Sequence, residues 1–304
     1  MRALLIVNPK ATTTSPRSRD VLAGALRSEL DLRLGYTRRR GHAGVLARDA
    51  ASEDIELVVA LGGDGTVNEV VNGLMSVPDE IRPALAVVPG GSTNVFVRAL
   101  GLPREWYEAT GVLLQALRKG RSRTIGLGMA DDRYFTFCAG LGLDAAVVRR
   151  VETARRRGRR STPGLYMRST LGEFLFERPK PAMVLSTGVD PDEEELSSII
   201  VQNTAPWTYL GDRAIHPSPD ASFDKGLDVL ALRTLRLPAT VRTITQLVIA
   251  NGDPHGKQVV HHHDLSGFTV TSPTPQAFQL DGDYLGEREK VRFAAVPRAL
   301  RVIC

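Results

Sequence analysis

Hydrophobic residues in the first 120 positions form short, nearly unbroken runs, separated by stretches in which apolar residues recur at helical spacing. Strands that alternate with helices predict a parallel, doubly wound α/β sheet. The runs predict strands at Ala3–Val7, Leu32–Tyr36, Ile55–Ala60 and Ala84–Val88. The spacing predicts helices near Ser18–Leu30, Gly41–Ser52, Val67–Leu74, Thr93–Leu100 and Trp106–Lys119.

The pattern changes near Arg121, after which most apolar residues alternate with polar ones, as in half-buried antiparallel strands. The predicted strands are Gly126–Met129, Tyr134–Cys138, Ala182–Thr187, Ser197–Gln202, Leu227–Leu232, Gln258–His263, Gly267–Thr271, Gln276–Leu280, Val291–Ala295 and Leu300–Ile303. Helices are predicted at Asp144–Arg157 and Leu165–Phe176, and a hairpin turn at Val189–Asp192. We therefore expect an α/β domain at 1–122 and a β-sandwich at 123–304, whose last residues could pack back on the first domain.

A glycine-rich turn, Gly62 to Thr66, links the third strand to the following helix. Glycines let a ligand approach the backbone, and the N–H groups at a helix start favour a phosphate. Asp64 would repel a bare phosphate, so its presence suggests an intervening divalent cation or a hydroxyl that must lose a proton nearby. The alternative is a tight turn in which Asp64 and Thr66 only cap the helix.

Two more turns support a ligand site. The first strand ends at Asn8, and the fourth enters Pro89-Gly90-Gly91-Ser92-Thr93-Asn94. The carboxyl ends of parallel strands lie along one edge of the sheet, where ligands of such folds bind. The three turns are therefore expected to converge on one crevice.

Composition narrows the class of protein. The chain has 304 residues, 42% hydrophobic and 24% charged, with only two cysteines, which excludes a disulfide framework or a cysteine zinc site. The apolar run after Met1 is too short for a signal peptide, and no run approaches the ~20 residues that span a bilayer. These features favour a globular protein of a reducing, cytoplasmic compartment.

The Gly62-Gly63-Asp64-Gly65-Thr66 turn resembles the nucleotide signature of the diacylglycerol kinase and sphingosine kinase superfamily, and NAD kinases and phosphofructokinases share related turns. Further segments are similar to those of the lipid kinases in order along nearly the whole chain. They are Asn8-Pro9, Asn68-Glu69, Pro89 to Phe96 with Arg98, Leu100 and Gly101, Gly140 to Ala145, Phe223 to Asp228, and Leu280 to Asp283.

The resemblance implies an ATP- and Mg²⁺-dependent kinase that phosphorylates a lipid hydroxyl in a cleft between an α/β domain and a β-sandwich. It implies ATP contacts from Asn8, Pro9, Lys10, Ala11, Thr12, Thr37, Gly62, Gly63, Asp64, Gly65, Thr66, Val67, Asn68, Gly91, Ser92, Thr93 and Asn94. It further implies a structural magnesium near Asp224, Lys225 and Leu227.

The resemblance places Asp283 where the family has a glutamate proposed as general base. If the segment is extended, Asp281 and Asp283 point to the same side, so one could orient or hold metal while the other takes the proton. Asp283 is one methylene shorter than glutamate. Val95 replaces an aspartate that supports the metal network in many members, and Lys225 replaces an acid of the magnesium motif.

Two other motifs have simpler interpretations. Gly140-Leu141-Gly142-Leu143-Asp144-Ala145 matches a weak dinucleotide fingerprint, for which we prefer a packing turn. His261 to His263 could bind zinc, but alternation in a strand splits the three side chains between two faces, so a surface strand is favoured.

Net charge is +5, and arginines concentrate between Arg149 and Arg160. No aromatic residues are interleaved with them, which argues against nucleic acid and leaves either a solvated helix or peripheral contact with anionic lipid. The following segment, Tyr166–Phe176, offers apolar residues for the same contact. The chain could also form a homodimer.

The favoured hypothesis is a peripherally membrane-associated kinase that converts diacylglycerol to phosphatidic acid. A sphingoid base or ceramide is an alternative acceptor. An NAD-kinase-like enzyme and a nucleotide-binding regulator without catalysis are alternative classes, and the replacements at Asp283, Val95 and Lys225 favour the regulator somewhat.

Overall fold

The computed structural model describes residues 1–12, 14–156, 182–188, 194–249 and 253–304. They divide into two compact units. The first contains Met1–Leu127 together with Arg298–Cys304, and the second contains Gly128–Pro297. The predicted helix at Leu165–Phe176 and the predicted turn at Val189–Asp192 lie outside the described residues.

The first unit is built on a parallel sheet. Its strands are β1 (Arg2–Val7), β2 (Asp31–Tyr36), β3 (Leu57–Gly62) and β4 (Ala84–Pro89), in the spatial order β2-β1-β3-β4. The end of the chain adds to this sheet, because Val302 pairs in parallel with Leu85 of β4. Every residue of β3 and β4 is buried, as expected for strands covered on both faces.

Helices cover the two faces of this sheet. They are α1 (Pro16–Leu26), α2 (His42–Ser52), α3 (Asp64–Met75), α4 (Val95–Ala99) and α5 (Trp106–Arg118). Leu22 and Leu26 of α1 and Leu113 of α5 pack with alternate strand residues such as Leu5 and Val59. This arrangement confirms the predicted α/β fold class.

Close packing of α2 against α3 fixes the helix that follows the glycine turn. A Cβ atom on Gly73 would lie 2.2 Å from the Gly44 carbonyl oxygen, so the two helix backbones touch. The Glu69 carboxylate accepts hydrogen bonds from the backbone N–H groups of Gly41 (2.7 Å) and Ala43 (3.1 Å). Glu69 therefore caps the start of α2, and α3 is held at its middle.

The second unit is mainly antiparallel. Its elements are β5 (Arg123–Ala130, which begins in the first unit), β6 (Arg133–Phe135), β7 (Cys138–Gly142), α6 (Leu143–Arg156), β8 (Met183–Ser186), β9 (Glu194–Leu196), β10 (Ser198–Gln202), β11 (Thr208–Leu210), β12 (Arg213–Ile215), β13 (Leu227–Leu232), α7 (Leu237–Ile249), β14 (Val259–Leu265), β15 (Gly267–Leu280) and β16 (Asp283–Val302).

The long strand β15 takes part in two antiparallel series. Its first part pairs with β8 and its last part with β7, which continues through β10 and β13 to β14. Side chains from both series, such as Phe268, Val229 and Leu280, share one hydrophobic cluster. This packing fits the predicted antiparallel sandwich.

Several element predictions differ from the structure. Helix α1 ends at Leu26 rather than Leu30, and α4 covers only Val95–Ala99. The separate strands predicted at Gly267–Thr271 and Gln276–Leu280 form one strand with an irregularity in its register. Helix α7 was not predicted from the sequence.

Candidate active site

The two glycine turns of the first unit are packed backbone against backbone. A Cβ atom on Gly91 would lie 2.7 Å from the Gly63 Cα, and one on Gly90 would lie 2.9 Å from the Gly62 Cα. The Gly90 N–H also donates to the Gly62 carbonyl oxygen over 2.9 Å. Side chains at these positions would force the turns apart, so glycine is required here by close approach.

The turn after β1 is tied to the same place. The Asn8 side-chain amide donates to the Thr66 hydroxyl over 2.9 Å, while its Oδ1 accepts from the Lys10 backbone N–H over 3.0 Å. The Asn8 backbone N–H donates to the Leu61 carbonyl oxygen. One side chain therefore joins the first loop to the first turn of α3.

Asp64 is the first residue of α3 and is half-buried. Its Oδ1 accepts a hydrogen bond from the Phe96 backbone N–H over 3.2 Å. Asn94 is buried in a left-handed conformation, and its amide group bonds reciprocally with the Gly91 N–H (2.9 Å) and carbonyl (2.8 Å). The structure thus brings together three turns that are distant in sequence.

The other nucleotide candidates differ in exposure. Pro9, Lys10 and Ser92 are exposed at this edge of the sheet, and the Thr37 backbone N–H donates to the Val7 carbonyl oxygen at the end of β1. Asn68 is almost fully buried, and its backbone carbonyl accepts from the Asn72 amide over 2.9 Å. Asn68 therefore lies on the buried side of α3 and stabilises that helix.

Thr14 is a residue of this site that the sequence reasoning missed. Its Oγ1 is buried without a hydrogen-bond partner, one of few such atoms in the described chain. It would lie 3.0 Å from a Cβ atom on Gly90, so it faces the second glycine turn. The run of threonines from Thr12 to Thr14 is the only sequence signal that could have indicated it.

In the second unit, Asp281 and Gly282 form the tight turn between β15 and β16. Their φ angles are +48° and +78°, and Leu280 pairs with Asp283 across the turn, as in a type I′ hairpin. The segment is therefore not extended, so the condition under which Asp281 and Asp283 were expected to point to the same side is not met.

Asp281 is buried and acts as an anchor. Its Oδ2 accepts from the Thr136 backbone N–H (2.7 Å) and hydroxyl (2.9 Å), and its Oδ1 accepts from the N–H groups of Phe137 (3.0 Å) and Cys138 (3.1 Å). A carboxylate has about four acceptor positions. Asp281 therefore stabilises the turn instead of serving as a second catalytic acid.

Asp283 begins β16 and is half-buried. The turn beside it is held by Gln279, whose Oε1 accepts from the Gly282 N–H over 2.9 Å and whose Nε2 donates to Asp144 Oδ2 over 2.7 Å. Burial raises the pKa of Asp144 to about 6, and the Gln279 hydrogen bond opposes this shift. Asp144 and the Asp283 turn thus form one connected group.

Gly140 and Gly142 serve packing. A Cβ atom on Gly140 would lie 1.9 Å from Asp144 Oδ2, and Gly142 has a φ of +78°. Strand β7 pairs antiparallel with both β10 and β15, whereas a dinucleotide fingerprint requires a parallel βαβ unit. The packing interpretation of this motif is therefore supported.

The segment expected to hold a structural magnesium carries several side-chain contacts of its own. Lys225 Nζ lies 3.1 Å from His263 Nε2, and His263 Nδ1 lies 2.8 Å from Asp228 Oδ2. Asp228 Oδ1 accepts from the Asp264 N–H, and Asp264 Oδ1 accepts from the Gly226 N–H. The neighbouring acidic oxygens are thus hydrogen-bonded, and an ammonium group is already present.

No three His, Cys, Asp or Glu residues within the described ranges form a cluster that could bind a metal ion. His261 contacts the Pro254 carbonyl oxygen, and His263 contacts Lys225 and Asp228. These two histidines therefore have different partners.

The arginine cluster is described only in part. Arg149 forms an exposed ion pair with Glu287 (3.4 Å between Nη1 and Oε1), while the cluster beyond Arg156 lies outside the described residues. Over the described ranges, no helix has both the length and the apolar character needed to cross a bilayer.

Comparison with known proteins agrees with these motifs. Residues 2–130 match the model of the diacylglycerol kinase catalytic domain. A diacylglycerol kinase of Bacillus subtilis is 30% identical over 81% of this chain and 77% of its own. A probable lipid kinase YegS-like of Chromohalobacter salexigens is 39% identical, but the match covers only 47% of this chain and 44% of that relative.

A crystal structure of a diacylglycerol kinase from Bacillus anthracis str. Sterne has the same fold. It superimposes with a TM-score of 0.73 at 21% identity and covers 99% of this chain and 96% of that chain. The sequence similarity to the Bacillus subtilis protein extends over most of both chains. The chain therefore belongs to the diacylglycerol kinase family of lipid kinases.

Proposed function

We propose that this protein transfers the γ-phosphate of MgATP to a lipid hydroxyl, and that diacylglycerol is the acceptor and phosphatidic acid the product. The observation that carries the proposal is the backbone contact between the Gly62-Gly63 and Gly90-Gly91 turns, beside Asn8 and Asp64. The names of the family and of its relatives support the choice of a lipid acceptor.

The glycine turns can bind phosphate because glycine lets a ligand approach the backbone and because α3 directs the positive end of its dipole there. Magnesium arrives bound to ATP as part of the substrate. Asp64 would hold that ion, as a carboxylate suits Mg²⁺ and would otherwise repel phosphate. Transfer of a phosphoryl group depends mainly on such positioning and charge neutralisation.

Asp283 is the proposed base of the second unit. The acceptor hydroxyl gives its proton to the Asp283 carboxylate, its oxygen forms a bond to the γ-phosphorus, and the bond to the bridging oxygen breaks, so that ADP leaves. Asp281 and Gln279 hold the turn from which Asp283 projects. Their role is to orient the base.

A labelled-ATP assay tests the proposal. Purified protein, Mg²⁺ and mixed micelles that contain diacylglycerol, a sphingoid base or ceramide are expected to yield labelled phosphatidic acid, whereas NAD as acceptor should stay unlabelled. Asp64→Asn should keep the fold and lose at least 100-fold in kcat, because electrostatic positioning of MgATP is removed. Asp283→Glu, which restores the family residue, should retain turnover.

Other outcomes would assign another function. Label on NAD would place the protein with the NAD kinases, and label on a sphingoid base would change the acceptor. ATP binding without transfer to any acceptor would support the regulator. Full activity in a folded Asp64→Asn variant would contradict the assignment of the nucleotide site.

An enzyme that phosphorylates a lipid must act at a membrane surface. The arginines between Arg149 and Arg160 would attract the protein to an anionic surface. Reversing Arg155, Arg156 and Arg157 to Glu should lower sedimentation with anionic vesicles. Unchanged sedimentation would exclude this cluster as a membrane contact.

A further inference from the structure

Helix α7 exposes apolar side chains along one side. Leu237, Val241 and Ile244 are 51%, 52% and 37% exposed. They are spaced four and three residues apart, so they form a continuous stripe on the helix surface. Single exposed apolar residues are common, but a stripe of three on one helix indicates a contact surface.

The side of α7 that faces the protein carries two polar residues. Thr240 and Thr243 are 1% and 2% exposed, and their hydroxyls donate to the carbonyl oxygens of Arg236 and Ala239, both over 3.1 Å. Gln258 Nε2 also donates to the Ala239 carbonyl oxygen (3.1 Å). The usual distribution of polar and apolar residues on a surface helix is thus partly reversed.

The orientation of α7 is fixed. Leu247 is buried and packs with Ile215 and Leu230. The exposed stripe therefore cannot turn inward without breaking both this packing and the Gln258 hydrogen bonds. The apolar side chains stay accessible as a property of the folded unit.

The chain segment that carries the stripe is positively charged. Arg233, Arg236 and Arg242 are exposed, and no acidic residue occurs between Asp228 and Asp253. Apolar residues bordered by arginines are the pattern of helices that lie in the interface of an anionic bilayer. Each basic residue near such a surface adds attraction that salt screens.

We propose that α7 docks flat on an anionic lipid surface, with Leu237, Val241 and Ile244 inserted among the acyl chains and the three arginines at the headgroups. A second copy of the chain fits the surface less well. Symmetric contact would bring like charges together, and this short stripe covers far less than the roughly 800 Å² per partner of a stable interface.

Vesicle sedimentation tests the surface. The triple variant Leu237→Gln, Val241→Gln, Ile244→Gln should lower the partition coefficient on phosphatidylglycerol vesicles at least tenfold. Its unfolding midpoint should be unchanged, because the altered side chains are exposed. Arg236→Gln with Arg242→Gln should lower binding to anionic vesicles several-fold and flatten its salt dependence. A double variant of exposed residues in the first unit, Ile81→Gln with Tyr107→Gln, is the matched control and should bind like the wild type.

Unchanged vesicle binding by the folded triple variant would overturn the proposal. So would a wild-type dimer, seen by light scattering, that dissociates in this variant. The inference rests on the proposed function for its lipid surface, and transfer to diacylglycerol in detergent micelles separates the two. Normal micellar transfer with unchanged vesicle binding refutes the docking surface alone, whereas weakened vesicle binding without transfer by any form refutes the proposed function alone.

Discussion

Two turns in this chain combine aspartate with glycine, yet the glycines have different physical roles. At Gly62-Gly63 the backbone has no left-handed residue, and glycine is needed because the Gly90-Gly91 turn lies in contact. At Gly282 the surrounding space is open, and glycine is needed because φ is +78°. The first turn is specified by close approach and the second by conformation.

The aspartates of the two turns also have different surroundings. Asp64 is half-buried at a helix start and receives a backbone hydrogen bond from Phe96, whereas Asp281 is buried with four donors around its two oxygens. Sequence letters do not separate these two acids, because the difference lies in how deeply the fold buries each one.

The largest effect is expected from Asp281→Asn. The amide keeps only one acceptor oxygen, so two of the four buried donors in Thr136 to Cys138 lose their acceptor, at a cost of about 3–5 kcal/mol in unfolding free energy. Denaturant titration measures this. The control Asp283→Asn should change stability by less than about 1 kcal/mol, and equal destabilisation by the two variants would contradict the anchoring role.

Gly91→Ala should be next. Its Cβ would meet the Gly63 Cα at 2.7 Å and Asn94 Oδ1 at 2.9 Å, so the turns must separate, at a cost of about 1–3 kcal/mol. Titration with a fluorescent ATP analogue should show an affinity loss of about tenfold, since a 1.4 kcal/mol loss corresponds to that factor. The matched control is Gly111→Ala in α5, where the space is open and stability should rise by about 0.5–1 kcal/mol. Normal affinity in Gly91→Ala would show that the turns do not bind nucleotide.

Asp144→Asn should raise stability in a pH-dependent way. Burial raises the pKa of the Asp144 carboxyl from 3.8, its ordinary value, to about 6, so between these pH values the folded state holds a proton that the unfolded state has lost. The unfolding free energy of the wild type, relative to the variant, should therefore fall as pH rises from 4 to 7. The difference should reach about 1–3 kcal/mol above pH 7, at 1.36 kcal/mol per unit. Urea unfolding at pH 5 and pH 8 measures it, and a constant difference would exclude Asp144 as its source.

Gly282→Ala should cost about 1 kcal/mol, because alanine is strained in the left-handed region even without a clash. Gly282→Asn should cost less, since asparagine adopts this conformation more readily. The urea midpoint measures both variants. If the alanine variant is as stable as the wild type, the backbone conformation at position 282 does not require glycine.

The smallest effect is expected from metal removal. Lys225, His263 and Asp228 form a hydrogen-bonded chain beside the residues expected to hold a structural magnesium, so EDTA should leave the thermal midpoint without ATP unchanged. A thermal midpoint that rises with Mg²⁺ in the wild type but not in Asp224→Asn would support the magnesium site.

Much of the first unit could be predicted because its strands are buried on both faces and its glycine turns follow them directly. Helix α7 was not predicted although Leu237, Val241 and Ile244 recur at helical spacing. That spacing does not show that these side chains face solvent while Thr240 and Thr243 face the protein.

The acidic turn shows a second reason for error. An extended segment was assumed from Leu280 to Asp283, but Asp281 adopts a left-handed conformation whose carboxylate reaches the backbone of Thr136 to Cys138, more than 140 positions away in sequence. Thr14 was missed because its environment depends on Gly90, far from it in sequence. Local pattern cannot report contacts that only the folded chain creates.

The order in which a ribosome makes this chain has a consequence for its first unit. Leu85 receives its last strand partner from Val302, and the Arg82 guanidinium donates to the Ala299 carbonyl oxygen. Until those residues are synthesised, β4 presents an open sheet edge of the kind that pairs with other chains. The first unit is therefore completed only after the second has been synthesised, and a fragment that stops at Leu127 should aggregate during expression unless residues 298–304 are supplied.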